Sequence, residues 1–343
     1  MKSHGYALLP VVLVIVAGCS PFGHKSEPTE LFPADSLSRS MAEAVVPDSL
    51  VLDWRRDGGE SAYFGSILFG PDSLIWVGDL GTHSIRRFGP DGEEEEATTG
   101  FSFPYLTGQA TDTIAVYDAG SNRLVSIEEP DRGIDLPPLN GEAASLSRQI
   151  VLMDGAVYVK DARPPVAVVR KLAATGWVER TDTLPGPSWH HFGVLRTWLG
   201  KIVSASSYRP VLYTLDPSGG LDSLRLQGFD SPMLARIRAF SVGDVKEPPL
   251  VISGVYGTSE GLYLINVRPG VIRIDVFDTD GKIERILQYE EPEPTTFTPF
   301  DLIVRNEGDS TRAYVASVST VYGPLSLEYA SHLDRFSFPS TGR

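Results

Sequence analysis

The sequence predicts an all-β fold of six four-stranded antiparallel blades around a central channel, a six-bladed β-propeller. Three observations predict it. Short Val/Ile/Leu/Tyr runs recur after Val46, bounded by Gly, Pro and Asp turns, and no long stretch there keeps a 3.6-residue apolar period. Two of these runs, with the turns that follow them, align at an offset of 39 residues. The markers of six such runs, Val77, Val116, Val159, Val203, Ile265 and Val315, stand 39, 43, 44, 62 and 50 residues apart. A four-stranded blade takes about 40–45 residues, so the last two intervals imply longer loops.

Composition narrows the function classes. The 343 residues carry 44 Asp+Glu against 30 Lys+Arg, a formal charge of −14. That balance argues against a nucleic-acid partner, which needs a basic surface. The single cysteine excludes an intramolecular disulfide framework and a Cys-based zinc cluster. With 42% hydrophobic residues the chain has the means to build a core.

Residues 1–18 read as a signal peptide. Lys2 precedes the apolar run Ala7–Val16, which is shorter than the roughly 20 residues of a spanning helix. Val16-Ala17-Gly18-Cys19 resembles a bacterial lipobox. Its small residues admit the signal peptidase, and the Cys19 sulfur then carries diacylglycerol. Removal of residues 1–18 takes Lys2 with it and moves the charge from −14 to −15. Acyl chains on Cys19 anchor the protein to a membrane, each buried CH₂ contributing about 0.8 kcal/mol. Ser20, not Asp, follows Cys19. By resemblance to bacterial sorting rules, that points to the outer membrane of a bacterial cell envelope. Residues 19–46 read as the lipidated N-terminus and a flexible tether, with Pro21, Gly23, Pro28 and Pro33 and little apolar periodicity.

Residues 47–338 hold the six blades, and 339–343 form a C-terminal tail. The two units that align are Asp79-Leu80-Gly81-Thr82-His83-Ser84-Ile85 and Asp118-Ala119-Gly120-Ser121-Asn122-Arg123-Leu124. In each, the aspartate ends a second strand and caps the turn into the third, where Gly and Asn or His tolerate positive φ. Later units keep only the strand pairs: Ala156–Asp161 with Val166–Lys171, Lys201–Ser206 with Val211–Asp216, Gly261–Asn266 with Val271–Phe277, and Arg312–Ser317 with Ser326–Ala330. Leu50–Arg55 reads as a strand that closes the ring against the last blade. Ile67–Gly92 resembles an NHL-type repeat, through Pro71–Asp79 and His83–Gly92. The whole chain resembles six-bladed propellers of bacterial lipoproteins.

Candidate sites follow from departures from the repeat. Asp79, Asp118 and Asp161 recur at equivalent turns, so they read as structural, as does His83 in the slot of Asn122. Glu93–Glu96 reads as a solvated inter-strand loop. Trp189-His190-His191-Phe192 is the unusual cluster, just before the expected innermost strand Val194–Trp198 of blade four. His190 or His191 is expected to meet Asp301 and Tyr105 in the channel, where imidazole and carboxylate can ligate a metal or move a proton. Arg86, Arg87, Arg163, Arg196, Arg209 and Arg273 read as scattered, with no phosphate cradle. No G-x-S-x-G, phosphate-binding glycine loop or H-E-x-x-H is present.

The expectation is a membrane-anchored binding propeller without catalysis or cofactor. Its loops or channel would take a protein, peptide or glycan. The alternative is a metal-dependent hydrolase or lyase: the resemblance to lactonase-like and lyase propellers implies calcium or zinc in the channel.

Overall fold

The structure is a computed structural model. It describes residues 36–110, 113–138, 148–162, 166–206, 208–244, 250–268, 270–290, 296–307, 309–322 and 327–340. The expected signal peptide, Cys19 and most of the expected tether lie outside these.

Six antiparallel sheets follow one another along the chain. Blade 1 is β3 (Phe64–Phe69), β4 (Ile75–Asp79), β5 (Ser84–Phe88) and β6 (Glu94–Thr99). Blade 2 is β7 (Pro104–Ala110), β8 (Thr113–Asp118), β9 (Arg123–Ser126) and β10 (Gly133–Asp135). Blade 3 is β11 (Arg148–Met153), β12 (Ala156–Ala162), β13 (Ala167–Leu172) and β14 (Val178–Thr183). Blade 4 is β15 (Leu195–Trp198), β16 (Lys201–Ala205), β17 (Val211–Leu215) and β18 (Leu221–Arg225). Blade 5 is β19 (Ile252–Gly257), β20 (Leu262–Asn266), β21 (Val271–Phe277) and β22 (Ile283–Glu290). Blade 6 is β23 (Thr296–Glu307), β24 (Ser310–Tyr322), β25 (Leu327–Pro339) and, from the other end of the chain, β2 (Val51–Asp57). The first strands touch in the cycle β3–β7–β11–β15–β19–β23–β3, which closes a ring around the channel.

The N-terminal strand expected at Leu50–Arg55 is β2, paired antiparallel with β25 as the outermost strand of blade 6. Both ends of the chain thus share one sheet, and opening the ring requires breaking that seam. Asp334, fully buried on β25, holds Arg55 through two bonds of 2.7 and 3.0 Å. Two residues, Asp48–Ser49 (β1), add a short parallel strand to the outer edge of blade 5.

Part of the expected tether is ordered. Ser36–Glu43 forms a helix, α1, which buries Ala42 and packs Met41 against the core between blades 4 and 5. Met41 and Val45 share one face of this turn of chain, so a short apolar stripe was present in a segment rich in Ser and Glu. The 62-residue interval is explained by a second helix, α2 (Met233–Ser241), inserted between β18 and β19. The 50-residue interval reflects the long hairpin strands β23 to β25, of 12, 13 and 13 residues.

Register corrects two of the six markers. Val77, Val116, Val159 and Val315 face the preceding blade. Val203 instead packs with blade 5, and Ile265 with blade 6, both onto the following blade. Their neighbours Ile202 and Leu264 face backwards. Second strands are buried on both faces, so they read as continuous apolar runs and hide their phase. Outer strands have the opposite character. Glu94–Glu96, expected in a loop, lies in β6, where Glu94 pairs with Arg86 and Glu96 with Arg87.

Blades approach each other closely at a few glycines. A Cβ on Gly78 would lie 2.5 Å from the Pro104 carbonyl oxygen and 2.6 Å from Ser66 Oγ. Gly78→Ala is therefore expected to wedge blades 1 and 2 apart at a cost of about 2 kcal/mol, a melting temperature lower by roughly 4–8 °C in a thermal scan. An unchanged melting temperature would contradict this packing.

Candidate functional site at the channel

The repeat aspartates are structural in three different ways. Asp79 Oδ1 accepts from the N–H groups of Tyr63, Gly81 and Thr82, at 2.8, 3.1 and 3.1 Å. Asp118 Oδ1 accepts from Ser102 and Phe103 N–H at 3.0 and 2.9 Å. Asp161 accepts a fork from Arg148, at 2.8 and 3.1 Å, and a further bond from Arg170. Losing the side chain of Asp79 strands three donors, so Asp79→Ala is expected to cost about 2–4 kcal/mol by urea unfolding. His83 and Asn122 both hold φ of 55°. Each reaches the segment leading into the next blade: His83 Nδ1 meets Ser102 O, and Asn122 Nδ2 donates to Leu136 O at 3.1 Å.

His190 and His191 lie on a 3₁₀ turn, Ser188–His191, between blades 3 and 4, and the groups that act on their rings are Arg209, Lys160 and Pro185 rather than Asp301. His191 Nε2 donates to Pro185 O at 2.9 Å and its ring lies 5.0 Å from Tyr213. His190 packs edge-on to Trp189 at 3.9 Å. Burial, reinforced for His190 by Arg209, lowers their pKa values to about 3 and about 4, so both are neutral at pH 7. The expected histidine–carboxylate meeting is therefore replaced by another pair.

That pair is Arg196 and Asp301. Asp301, on β23 in blade 6, is 2% exposed. Its Oδ2 accepts from Arg196 of β15 at 2.5 Å and from Ile67 N–H of β3 at 3.2 Å, and its Oδ1 accepts from Leu302 N–H at 3.0 Å. Blades 4, 6 and 1 thus meet at one carboxylate. Burial pushes that carboxyl above the usual carboxylate range, with Arg196 acting against the shift. Arg196 is closer to the solvent, its side chain 21% exposed. Behind it stands Lys160 of β12, fully buried, bonded to Gly193 O and to Ser204 Oγ at 3.2 Å. Burial, and then the neighbouring Arg196, lower the Lys160 pKa to about 7.

Tyr105 lies on β7 of blade 2 and pairs with Tyr117 of β8, with ring centroids 6.2 Å apart; Asp301 pairs with Ala316 at the equivalent position of blade 6. Tyr63 lies 5.6 Å from Phe300, the residue before Asp301, and its phenol also acts on that of Tyr105. Burial raises both phenol pKa values. Tyr63, Phe300 and Tyr105 thus form an aromatic arc from blades 6, 1 and 2, with Phe300 next in sequence to the Asp301 that holds Arg196. Tyr105 and Asp301 were candidates from the sequence, and they stand at equivalent positions of blades 2 and 6. Sequence reasoning missed Arg196 and Lys160, whose signal was a charge inside apolar strand patterns, V-L-R-T-W and V-Y-V-K.

A second polar row crosses blade 6. Ser319 Oγ donates to His332 Nε2 at 2.8 Å, and His332 Nδ1 donates to Asp57 Oδ1 at 2.7 Å. The order is that of a nucleophile relay. Ser319, however, sits mid-ladder between β23 and β25, where strand pairing engages the surrounding backbone N–H groups that an oxyanion would need. The row ties the closing strand to the blade.

A bound calcium or zinc would need converging carboxylates or imidazoles. Among the described residues no three His, Cys, Asp or Glu side chains come together in that way. Arg196 and Lys160 would repel a dication beside Asp301, so the donor set there does not fit either metal. Among the described residues, no helix is long and apolar enough to cross a membrane.

No protein-family profile matches the chain, and no curated protein sequence matches it. Among solved structures it is similar to virginiamycin B lyase from Staphylococcus aureus, with TM-score 0.51 and 10% identity over 84% of this chain and 99% of that one. It is similar to a catalytically inactive form of that lyase with quinupristin, at TM-score 0.50 and 10% identity over 83% and 99%. A streptogramin B lyase gives TM-score 0.51 and 11% identity over 84% and 98%. At such identities the likeness is one of fold. The chain is a six-bladed β-propeller.

Proposed function

We propose that this chain is a binding propeller, lipid-anchored through Cys19 in a bacterial envelope, that takes a protein, peptide or glycan at the channel end bearing Tyr63, Tyr105 and Phe300. The observation that carries this reading is the run of that aromatic arc up to the Arg196–Asp301 pair, with Phe300 next to Asp301. Aromatic faces bind apolar or stacked groups, and a partly exposed guanidinium fixes their orientation. The lipobox and Ser20 supply the address, and the outer membrane is the expected location.

Two variants test the reading. Cys19→Ala is expected to stop incorporation of labelled palmitate and to release the protein from membranes; continued lipid labelling would contradict the anchor. The Arg196→Gln/Asp301→Asn double variant removes both charges together and leaves neither partner buried alone. Affinity purification from membranes is expected to recover a ligand with the wild type and to lose it with this variant. Equal recovery would place binding elsewhere on the propeller.

The lyase likeness gives a catalytic reading its only footing, and the metal-dependent form of it meets an unsuitable donor set. Metal analysis of the purified mature protein, with a lactonase and lyase assay, separates the two. Stoichiometric calcium or zinc together with turnover would replace the binding reading.

A further inference from the structure

We propose that the channel ligand presents a carboxylate to Arg196, carried on an apolar body that packs against Tyr63, Tyr105 and Phe300, as the C-terminal residue of a peptide does. The inference rests on the binding reading above and names its ligand class.

Four observations converge on it. First, Arg196 is the base on the innermost strands that is not committed elsewhere. Across the six innermost strands the bases are Arg148, Arg196 and Arg305, and the acids are Asp301 and Glu307. Arg148 is fully engaged by Asp161, Asn122 and Pro137, and Arg305 lies over Phe69 with a bond to Ser73 O. Second, Arg196 keeps donors in reserve. A guanidinium has five N–H groups, and its described bonds go to Leu195 O and Asp301 Oδ2. Third, Asp301 is 2% exposed, and three of its roughly four acceptor sites are taken, by Arg196, Ile67 N–H and Leu302 N–H, so a cation has no approach to it from solvent. The open valence of the pair is therefore on its positive side, where a planar oxyanion forms a fork with arginine. Fourth, Tyr256 of β19 lies close enough to feel the same guanidinium. Gly254 keeps this edge of blade 5 thin. A Cβ there would come within 3.1 Å of Asp301 Cα and 2.9 Å of Leu302 Cδ2.

The test is calorimetric titration of the full-length mature protein in detergent with N-acetyl-L-phenylalanine, its amide, and glucuronate. The acid is expected to bind at least tenfold more tightly than the amide. Asp301→Asn, which frees the guanidinium, is expected to tighten the acid several-fold. Arg196→Lys, which keeps the charge and loses the fork, is expected to weaken it several-fold. The Arg196→Gln/Asp301→Asn variant is expected to abolish the preference for acid over amide while its circular dichroism melt stays cooperative. Equal binding of acid and amide would overturn the carboxylate assignment and leave the channel as a binding site. Binding of glucuronate in place of the peptide acid would overturn the peptide assignment. No binding of any probe, with membrane purification still recovering a partner, would overturn the inference alone. If that partner were also absent, the binding reading would fall with it.

Discussion

Arg55→Ala is expected to destabilise the folded ring by about 3–5 kcal/mol, more than any other single substitution proposed for this chain. The reason lies in the closing seam. Asp334 is fully buried on β25, and Arg55 reaches it from β2 with a two-bond fork. Removing the guanidinium takes two charge-assisted bonds from a fully buried carboxylate, and breaking a buried ion pair is among the most costly changes a mutation can make. The same substitution loosens the strand that joins the two ends of the chain. Asp53 on that strand also receives Arg335 and Arg312, at 3.1 and 3.4 Å, and Ser337 at 2.8 Å. Urea unfolding should show the midpoint falling, and a thermal scan a loss on the order of 10 °C. Arg55→Leu combined with Asp334→Leu should recover most of the loss, since neither charge then remains buried. A change under about 1 kcal/mol in Arg55→Ala would mean that β2 does not hold the ring shut.

Lys160→Met is expected to change how stability depends on pH. The Lys160 ammonium is buried on β12, and its pKa falls from 10.5 to about 7. The folded chain therefore binds fewer protons than the unfolded chain between about pH 7 and pH 10.5. Unfolding free energy rises with pH wherever the unfolded state holds more protons. Lys160 thus opposes folding fully below pH 7, and that opposition fades as pH rises through the window. A tenfold change in proton affinity is worth about 1.4 kcal/mol, so wild type minus Lys160→Met should rise by about 2–3 kcal/mol from pH 7.5 to 9.5. Tyr63 and Tyr105 do not interfere, because burial raises their pKa values above that range. Unfolding curves for both proteins at four pH values measure it. A difference that stays flat with pH would show that Lys160 remains an ordinary charged lysine.

The architecture was legible because a propeller repeats its signal. The D-x-G-[ST]-[HN] turns at Asp79 and Asp118 gave phase to the first two blades, and the structure places both aspartates at strand ends as their spacing requires. The later blades lost that phase. Asn266 ends β20 where Asp79 ends β4, and there the side chain bonds to Asp275 and to Asp230 O instead of capping a repeat turn. The polar outer strands, such as Glu94–Thr99 and Leu221–Arg225, carried too little apolar pattern to be seen. The site was legible only in part. Asp301 and Tyr105 stood out as polar groups entering inner strands. Arg196 did not, because its partner lies 105 residues away and only ring closure brings blade 4 to blade 6. His190 and His191 drew attention by their rarity, yet a histidine pair inside a 3₁₀ turn can serve packing as readily as chemistry, and these two are neutral and enclosed.

The central claim is that a ligand enters the channel between the aromatic arc and Arg196. Photo-crosslinking tests it most directly. p-Benzoylphenylalanine is placed at Tyr105 in the full-length protein, in the cells that make it, with the exposed Trp177 as the control position. The account predicts an adduct from position 105 that is absent at position 177 and lost when Arg196→Gln/Asp301→Asn is added. Adducts of equal yield at both positions, or an adduct at 105 that survives the double variant, would contradict it.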